Sequence, residues 1–151
     1  MTHRAQQIVD AVVTTLTTAL AGTAAVYVGR RHTLSEAEQE LAAVIVDYGA
    51  DEPLGEFGAT NVAFLDSLLE VNARIAVKTT DEKDALEQLL ARRRDIHVAL
   101  MADRSIGLAF VLDTRPAGAA APDLDVASDA TIGTLVTRWL VHYRTSLNDP
   151  A

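Results

Sequence analysis

Hydrophobic and polar residues follow two different periods along the chain. Between Arg4 and Leu20 the apolar residues recur every three or four positions, which predicts an amphipathic helix capped near Gly22. A second helix is predicted from Asp81 to Ala102, because a capping signal precedes its first turn. The apolar stripe of this second helix comprises Leu86, Leu89, Leu90, Ile96, Leu100 and Met101.

Strand patterns occupy much of the remaining chain. The clearest runs from Leu65 to Val77, where an apolar residue at every second position predicts a long strand with one face packed on helices. The segment from Thr131 to Thr145 alternates in the same way and ends in aromatic residues, so it is predicted to be a long final strand. Shorter strands are predicted at 24–28, 43–48 and 106–113.

Two stretches rich in glycine, proline and acidic residues separate these elements. The stretch from Ala50 to Val62 is predicted to be a long loop or a hairpin tip, and Thr114 to Asp129 a second long loop. Such segments have little apolar surface to offset the entropy lost on ordering. We therefore expect Gly49 to Val62 and Pro116 to Asp129 to be mobile.

The order of the predicted elements indicates the fold class. It reads helix, two strands, long strand, helix, two strands, without an internal repeat or an alternating strand–helix rhythm. This order favours an α+β fold, with a largely antiparallel sheet of about five strands and both helices on one face. The length of 151 residues suits a single domain covering residues 1–151.

Composition narrows the possible functions. A net charge of −8 argues against wrapping a nucleic acid backbone, because that affinity comes from lysine and arginine. The chain has no cysteine, so a disulfide, a thiolate zinc site and a thiol nucleophile are excluded. The apolar runs are too short or too interrupted for a signal peptide or a membrane span. We expect a soluble protein made inside a cell.

No motif for catalysis or for cofactor binding stands out. The four histidines lack the paired spacing that a zinc site on a helix needs; they are His3, His32, His97 and His142. No glycine-rich phosphate loop follows a strand, and no serine has the context of a nucleophile elbow. The sequence therefore predicts neither an enzyme nor a cofactor or metal site.

The densest positive charges are the candidates for contacts with other proteins. Arg30, Arg31 and His32 are predicted to lie in a turn, and Arg92 to Arg94 on the second helix. Helical spacing places Arg93 inside the apolar stripe. Its aliphatic stem then either extends out of the core, which we favour, or its guanidinium meets a carboxylate across a subunit contact. We take Arg30, Arg31, His32 and Arg93 as candidate subunit or partner contacts.

Several segments of the chain together resemble a known family. The segment from Val26 to Arg30, the acidic segment from Leu34 to Glu38 and the strand from Leu41 to Gly49 resemble the tail terminators, the minor tail proteins that end the tail tube of long-tailed bacteriophages. The leading helix, the long alternating strand, the acid-led helix and the closing Val141 to Thr145 are similar in outline.

The resemblance implies a structural protein of the virion, located at the junction of head and tail and assembled in the host cytoplasm. The chain would form a ring with copies of itself, usually a hexamer, that caps the tail tube and stops its polymerisation. The other face of the ring would bind a head-completion or connector protein. DNA would pass through the lumen without sequence-specific binding, and neither a membrane nor a cofactor would be involved.

Three alternatives remain open at this point. A head-closure or neck protein of a phage is similar in size. A small α+β ligand-binding or regulatory module would have the same elements and a pocket between its sheet and its helices. An enzyme is the third. A ring of several copies in solution would favour the tail terminator over all three.

Overall fold

The computed structural model describes residues 2–29, 42–54, 64–126 and 130–146. This part of the chain forms two helices and six strands, in an α+β arrangement that confirms the predicted fold class. In chain order the elements are α1 (Arg4–Ala19), β1 (Ala25–Val28), β2 (Ala42–Leu54), β3 (Phe64–Thr79), α2 (Glu82–Ala102), β4 (Val111–Ala119), β5 (Asp123–Val126) and β6 (Thr131–Ser146).

The sheet is built around its two longest strands. β3 and β6 have 16 residues each and pair antiparallel along their whole length, from Phe64 opposite Ser146 to Thr79 opposite Thr131. β2 pairs antiparallel with β3, and β1 adds a parallel strand at that edge. β4 and β5 both pair with β6, so they occupy the opposite edge of the sheet.

Alternation along the strands directs one set of side chains towards the helices. Leu69, Val71 and Ile75 of β3 are fully buried there, as are Ile8 and Leu16 of α1. α1 contacts β1, β2 and α2, and α2 contacts β3, β4, β5 and β6, so both helices cover the same face of the sheet. This face carries the main hydrophobic core.

Both helices begin where a side chain can cap the first backbone amides. The carboxylate of Asp81 accepts a hydrogen bond from the amide of Asp84 at 2.8 Å, so the capping signal of the second helix is real. At α1 the imidazole Nδ1 of His3 accepts from the amide of Ala5 at 3.1 Å. These caps fix both helix starts within one residue of the predicted boundaries.

The strand predicted at 106–113 is wrong in its first half. Residues 103–110 form turns, because the Asp103 carboxylate accepts hydrogen bonds from the amides of Ser105 and Gly107. Ile106 is buried at a positive φ of 48°, an unfavourable conformation for a β-branched residue. Its apolar side chain therefore anchors a turn to the core, and β4 begins only at Val111.

The loop predicted at 114–129 is wrong where the structure describes it, and the segment 50–62, predicted as a long loop or a hairpin tip, is strand as far as Leu54, where β2 pairs antiparallel with β3. β2 continues to Leu54, β4 runs to Ala119, and β5 occupies Asp123–Val126. Their side chains are mostly exposed, so no apolar alternation marks them, while backbone pairing with β3 and β6 holds them in the sheet. The sheet thus has six strands rather than five; residues 55–63 and 127–129 lie outside the described part.

Candidate interaction surface

The face of the sheet turned away from both helices carries the charged side chains of the long strands. No described helix packs against this face, which we call the second face. Its residues on the two central strands are Asp66, Leu68, Glu70, Asn72 and Arg74 of β3 and Val136, Arg138, Leu140, His142 and Arg144 of β6. Most are half-buried, so the second face is neither a sealed core nor a fully solvated surface.

A groove of about 560 Å³ lies in the middle of the second face. Two guanidinium groups and two carboxylates line it, from Arg74, Arg138, Asp47 and Glu70. The Oδ1 atom of Asn72, also in the lining, is buried without a hydrogen bond to any described residue. Because charges of both signs meet here, the groove does not select a ligand by charge alone.

An ionic cluster lies further along the same strands. Arg144 donates to the carboxylate of Asp66 through Nε at 2.6 Å and Nη2 at 3.0 Å, a two-point contact. Nε2 of His142 lies 3.2 Å from Oδ2 of Asp66. The hydrogen bond from Arg144 lowers the pKa of Asp66 most, and His142 also lowers it, against an opposing effect of burial. Asp66 is thus held as a carboxylate.

A small apolar depression adjoins this cluster. It measures about 180 Å³ and is lined by Leu54, Leu68 and Leu140, with Asp113, Arg115 and His142 among its polar walls. Leu54 and nearby Phe64 are exposed, and the Arg144 guanidinium lies 5.8 Å from the centre of the Phe64 ring. This end of the second face combines apolar contact area with fixed charges, which is typical of protein-binding surfaces.

On the helix-covered face, the same end of the sheet is tied together by a tyrosine. The hydroxyl of Tyr143 donates to Oδ2 of Asp51 at 2.7 Å and so links β6 to β2 across β3. Burial raises the pKa of Tyr143 most, and the hydrogen bond to Asp51 raises it further. Tyr143 therefore stays protonated and fixes the position of the acidic part of β2.

That part of β2 is a free strand edge. β1 pairs only with residues 43–46, so on the side of β2 away from β3 no described strand lies beside residues 47–54, all of which are exposed. We call the group Asp47, Tyr48, Asp51, Glu52 and Leu54 the β2 edge patch. Tyr48 is 55% and Leu54 41% exposed, which places apolar area next to three carboxylates.

The flank of α2 carries a second exposed group. Leu86 and Leu90 are 39% and 49% exposed, although the sequence placed both in the buried stripe. The buried stripe of α2 is instead Ala85, Leu89, Ile96 and Leu100. The exposed flank, which we call the α2 patch, consists of Leu86, Leu90, Arg93, Arg94 and His97.

The structure therefore corrects the position of Arg93. Its side chain is exposed and lies outside the core stripe, so the interpretation in which its stem extends out of the core is wrong. Arg92 is the arginine on the buried side, with Nη1 at 3.3 Å from Oδ2 of Asp95 in an ion pair whose geometry gives no hydrogen bond. A role of Arg93 in a subunit contact stays a prediction.

The other candidate contacts, Arg30, Arg31 and His32, lie outside the described residues, so their role also stays a prediction. Among residues 2–29, 42–54, 64–126 and 130–146, no group of three or more histidines and acids could hold a metal ion. Neither described helix is long and apolar enough to cross a bilayer.

Sequence reasoning missed the Asp66 cluster and the β2 edge patch. Asp66, His142 and Arg144 occupy the polar positions of two predicted strands, and pairing these strands antiparallel would have brought them together. The sequence alone does not give that register. The β2 edge patch was hidden because Gly49, Pro53 and the acids resemble a loop.

Comparison with known proteins adds no relative. No protein-family model matches the chain, and no characterised protein matches its sequence significantly. The similarity to tail terminators therefore rests on the segments quoted above.

Proposed function

We propose that the chain is a tail terminator, a structural protein that forms a ring on the end of a phage tail tube. The ring stops polymerisation of the tube and gives the head-completion protein a surface to bind. The observation that carries the proposal is the extent of accessible, mixed apolar and charged surface on a sheet whose central strands run for 16 residues. A protein with such a surface acts through contacts with other proteins.

The interior of the fold disfavours a ligand-binding module with a pocket between its sheet and its helices. Ile75, Leu89 and Leu135 lie in that space and are at most 2% exposed, as part of one continuous core. Both depressions described above lie on the second face instead. The buried side chains thus fill the space that this alternative requires.

The charge of the chain suits a ring through which DNA passes. A net charge of −8 gives no attraction to phosphates, so DNA would move through the lumen without being held. The same charge makes identical subunits repel one another. Ring formation then needs local contacts that combine opposite charges with apolar area.

The test is polymerisation of the tail tube protein of the phage that encodes this chain. Adding the purified chain should stop elongation, and negative-stain images should show a ring at one end of each tube. Tubes that keep growing at saturating amounts of the folded chain would contradict the proposal. Rings on DNA-filled heads and none on tube ends would identify a head-closure protein instead.

The basic segment of Arg30, Arg31 and His32 gives a sharper variant of this test. Replacing Arg30 and Arg31 by glutamate should leave the fold intact and weaken ring assembly or tail joining, because these cations are expected to meet carboxylates of a neighbour or of a docking protein. Lys83→Glu is the control, since Lys83 is an exposed cation whose ion pair among the described residues is with Glu87 at 3.9 Å. Equal tail joining by both variants would show that Arg30 and Arg31 do not take part in the contact.

A further inference from the structure

The two exposed patches lie on different parts of the molecule. The β2 edge patch is on the side where α1 and β1 lie, and β1 is the last strand of the described sheet on that side. α2 instead contacts β4 and β5 at the other edge. On α2, the ring of His97 lies 5.7 Å from the ring of Trp139, and Trp139 pairs with Pro116 of β4. The His97 end of the α2 patch therefore lies above β6, two strands away from β2.

The two patches are complementary in charge. Arg93 and Arg94 make no ion pair with any described residue, and both are exposed on α2. The β2 edge patch holds three carboxylates, and neither Asp47 nor Glu52 makes an ion pair within the described ranges. The third, Asp51, accepts only from the neutral hydroxyl of Tyr143 among these residues. Each patch thus has charged groups that form no ion pair with the described residues and can pair with another molecule.

Acidic residues on β5 lie near the beginning of α2, where they would repel another acidic surface. Asp123 and Asp125 lie on β5, which pairs with β6 at residues 131–134. That segment faces the beginning of α2, because a side chain at Gly133 would touch both Leu89 and Leu124. The second half of the α2 patch, from Leu90 to His97, lies further along the helix towards Trp139. Its two arginines are therefore displaced from those acids.

We propose that the α2 patch of one copy binds the β2 edge patch of the next copy. This inference rests on the proposed function and names the contact that would build the ring. The two patches are different surfaces, so the contact is head-to-tail, and each added copy leaves one patch free at either end until the ring closes. Leu86 and Leu90 pack against Leu54, while Arg93 and Arg94 meet Glu52 and Asp47 further along the same side of the strand.

Disulfide trapping tests the contact, because the chain contains no cysteine of its own. A chain with Arg94→Cys and Glu52→Cys should give, on mild oxidation, a ladder of linked subunits that ends at a closed ring. The matched control pairs Arg94→Cys with Thr18→Cys, which is exposed on α1 outside both patches. A ladder no stronger than the control, with and without tail tubes present, would overturn the inference.

Charge exchange tests the same contact without a covalent link. Replacing Arg93 and Arg94 by glutamate should weaken self-association at least tenfold in sedimentation experiments. Adding Asp47→Lys and Glu52→Lys to that chain should restore it, because the attraction is then reversed in sign. Loss without restoration, or no loss, would contradict the proposed pairing.

The outcomes separate this inference from the proposed function. Linked rings that fail to stop tube growth would refute the tail terminator and leave the contact standing. The opposite result would be normal capping of tubes by the variant with Arg93→Glu and Arg94→Glu, together with no disulfide ladder. That result would refute the contact and leave the function standing.

Discussion

The two faces of the same sheet differ in the burial and the charge of their side chains. On β6 the side chains that face the helices are buried, such as Leu135 and Val141, while their neighbours on the second face, such as Val136 and Leu140, remain half-exposed. The helix-covered face is mainly apolar, with buried hydroxyl groups such as those of Thr137 and Thr145, whereas the second face holds Asp66 in contact with His142 and Arg144. The first face determines the fold, and the second is available for binding.

The difference follows from the energetics of burial. An apolar side chain is stabilised in proportion to the area that it removes from water, so the helix-covered face gains from every methyl group. A charged side chain loses solvation when buried, so the charges of the second face persist where they are paired and partly hydrated. Equal changes on the two faces should therefore have unequal effects.

The largest contrast is expected for a leucine on each face of β6. Leu135→Ala should lower the free energy of unfolding by about 2–5 kcal/mol, because it leaves a cavity under the helices. Leu140→Ala should lower it by less than about 1 kcal/mol, since Leu140 is half-exposed on the second face. Urea unfolding followed by fluorescence of Trp139, the single tryptophan, measures both. Equal losses would mean that something covers the second face.

A pair of glycines gives the next contrast. A Cβ at Gly133 would lie 2.9 Å from Cδ1 of the fully buried Leu89 and 3.1 Å from Leu124, so Gly133→Ala should destabilise by about 1–3 kcal/mol. At Gly49 the nearest atom is Oε1 of Glu70 at 3.0 Å, the end of a side chain that can move. Gly49→Ala should therefore be nearly neutral. Similar melting temperatures for the two variants would contradict this account of the packing.

Most of the fold follows from apolar periodicity. The alternation of β3 and β6 and the capped start of α2 predict these elements almost to the residue. The extension of β2, together with β4 and β5, could not be predicted, because strands at an edge need no apolar alternation. Ile106 is β-branched and was predicted to begin a strand, yet the hydrogen bonds that Asp103 accepts from nearby amides hold it in a turn.

The surface was less predictable than the fold. Arg93 was assigned to the wrong side of α2, because Leu86 and Leu90 look like core residues until the buried set is known to be Leu89, Ile96 and Leu100 with Ala85. A helix with apolar residues on two flanks does not reveal which flank faces the sheet. Only the packing of α2 on β3 and β6 decides this.

The buried tyrosine should show a smaller effect that depends on pH. Tyr143→Phe removes the hydrogen bond to Asp51 and should destabilise by about 1–2 kcal/mol near neutral pH. The pKa of Tyr143 is raised in the folded state, so the unfolded chain loses this proton more readily as the pH rises above about 10. The advantage of the wild type over Tyr143→Phe should therefore shrink above that pH. Tyr48→Phe, at an exposed position, is the control and should change stability by less than about 0.5 kcal/mol.

The smallest effect is expected for the ionic cluster of the second face. The Arg144 hydrogen bond lowers the pKa of Asp66 in the folded state, so the stabilisation is present above the ordinary value of 3.8 and is lost as the pH falls through the lowered one. Asp66→Asn should thus destabilise by less than about 1 kcal/mol at pH 7, because the Arg144 side chain is 47% exposed and solvent screens the pair.

The pH dependence of that difference tests whether charge causes it. The gap in unfolding free energy between the wild type and Asp66→Asn should be smaller at pH 2 than at pH 5, because Asp66 takes up a proton as the pH falls through its lowered pKa. Glu87→Gln, an exposed carboxylate on α2, serves as the control and should change stability by less than about 0.5 kcal/mol at either pH. A gap that stays the same down to pH 2 would show that Asp66 acts through the shape of its side chain. The charges of the second face would then contribute nothing measurable to the free energy of unfolding.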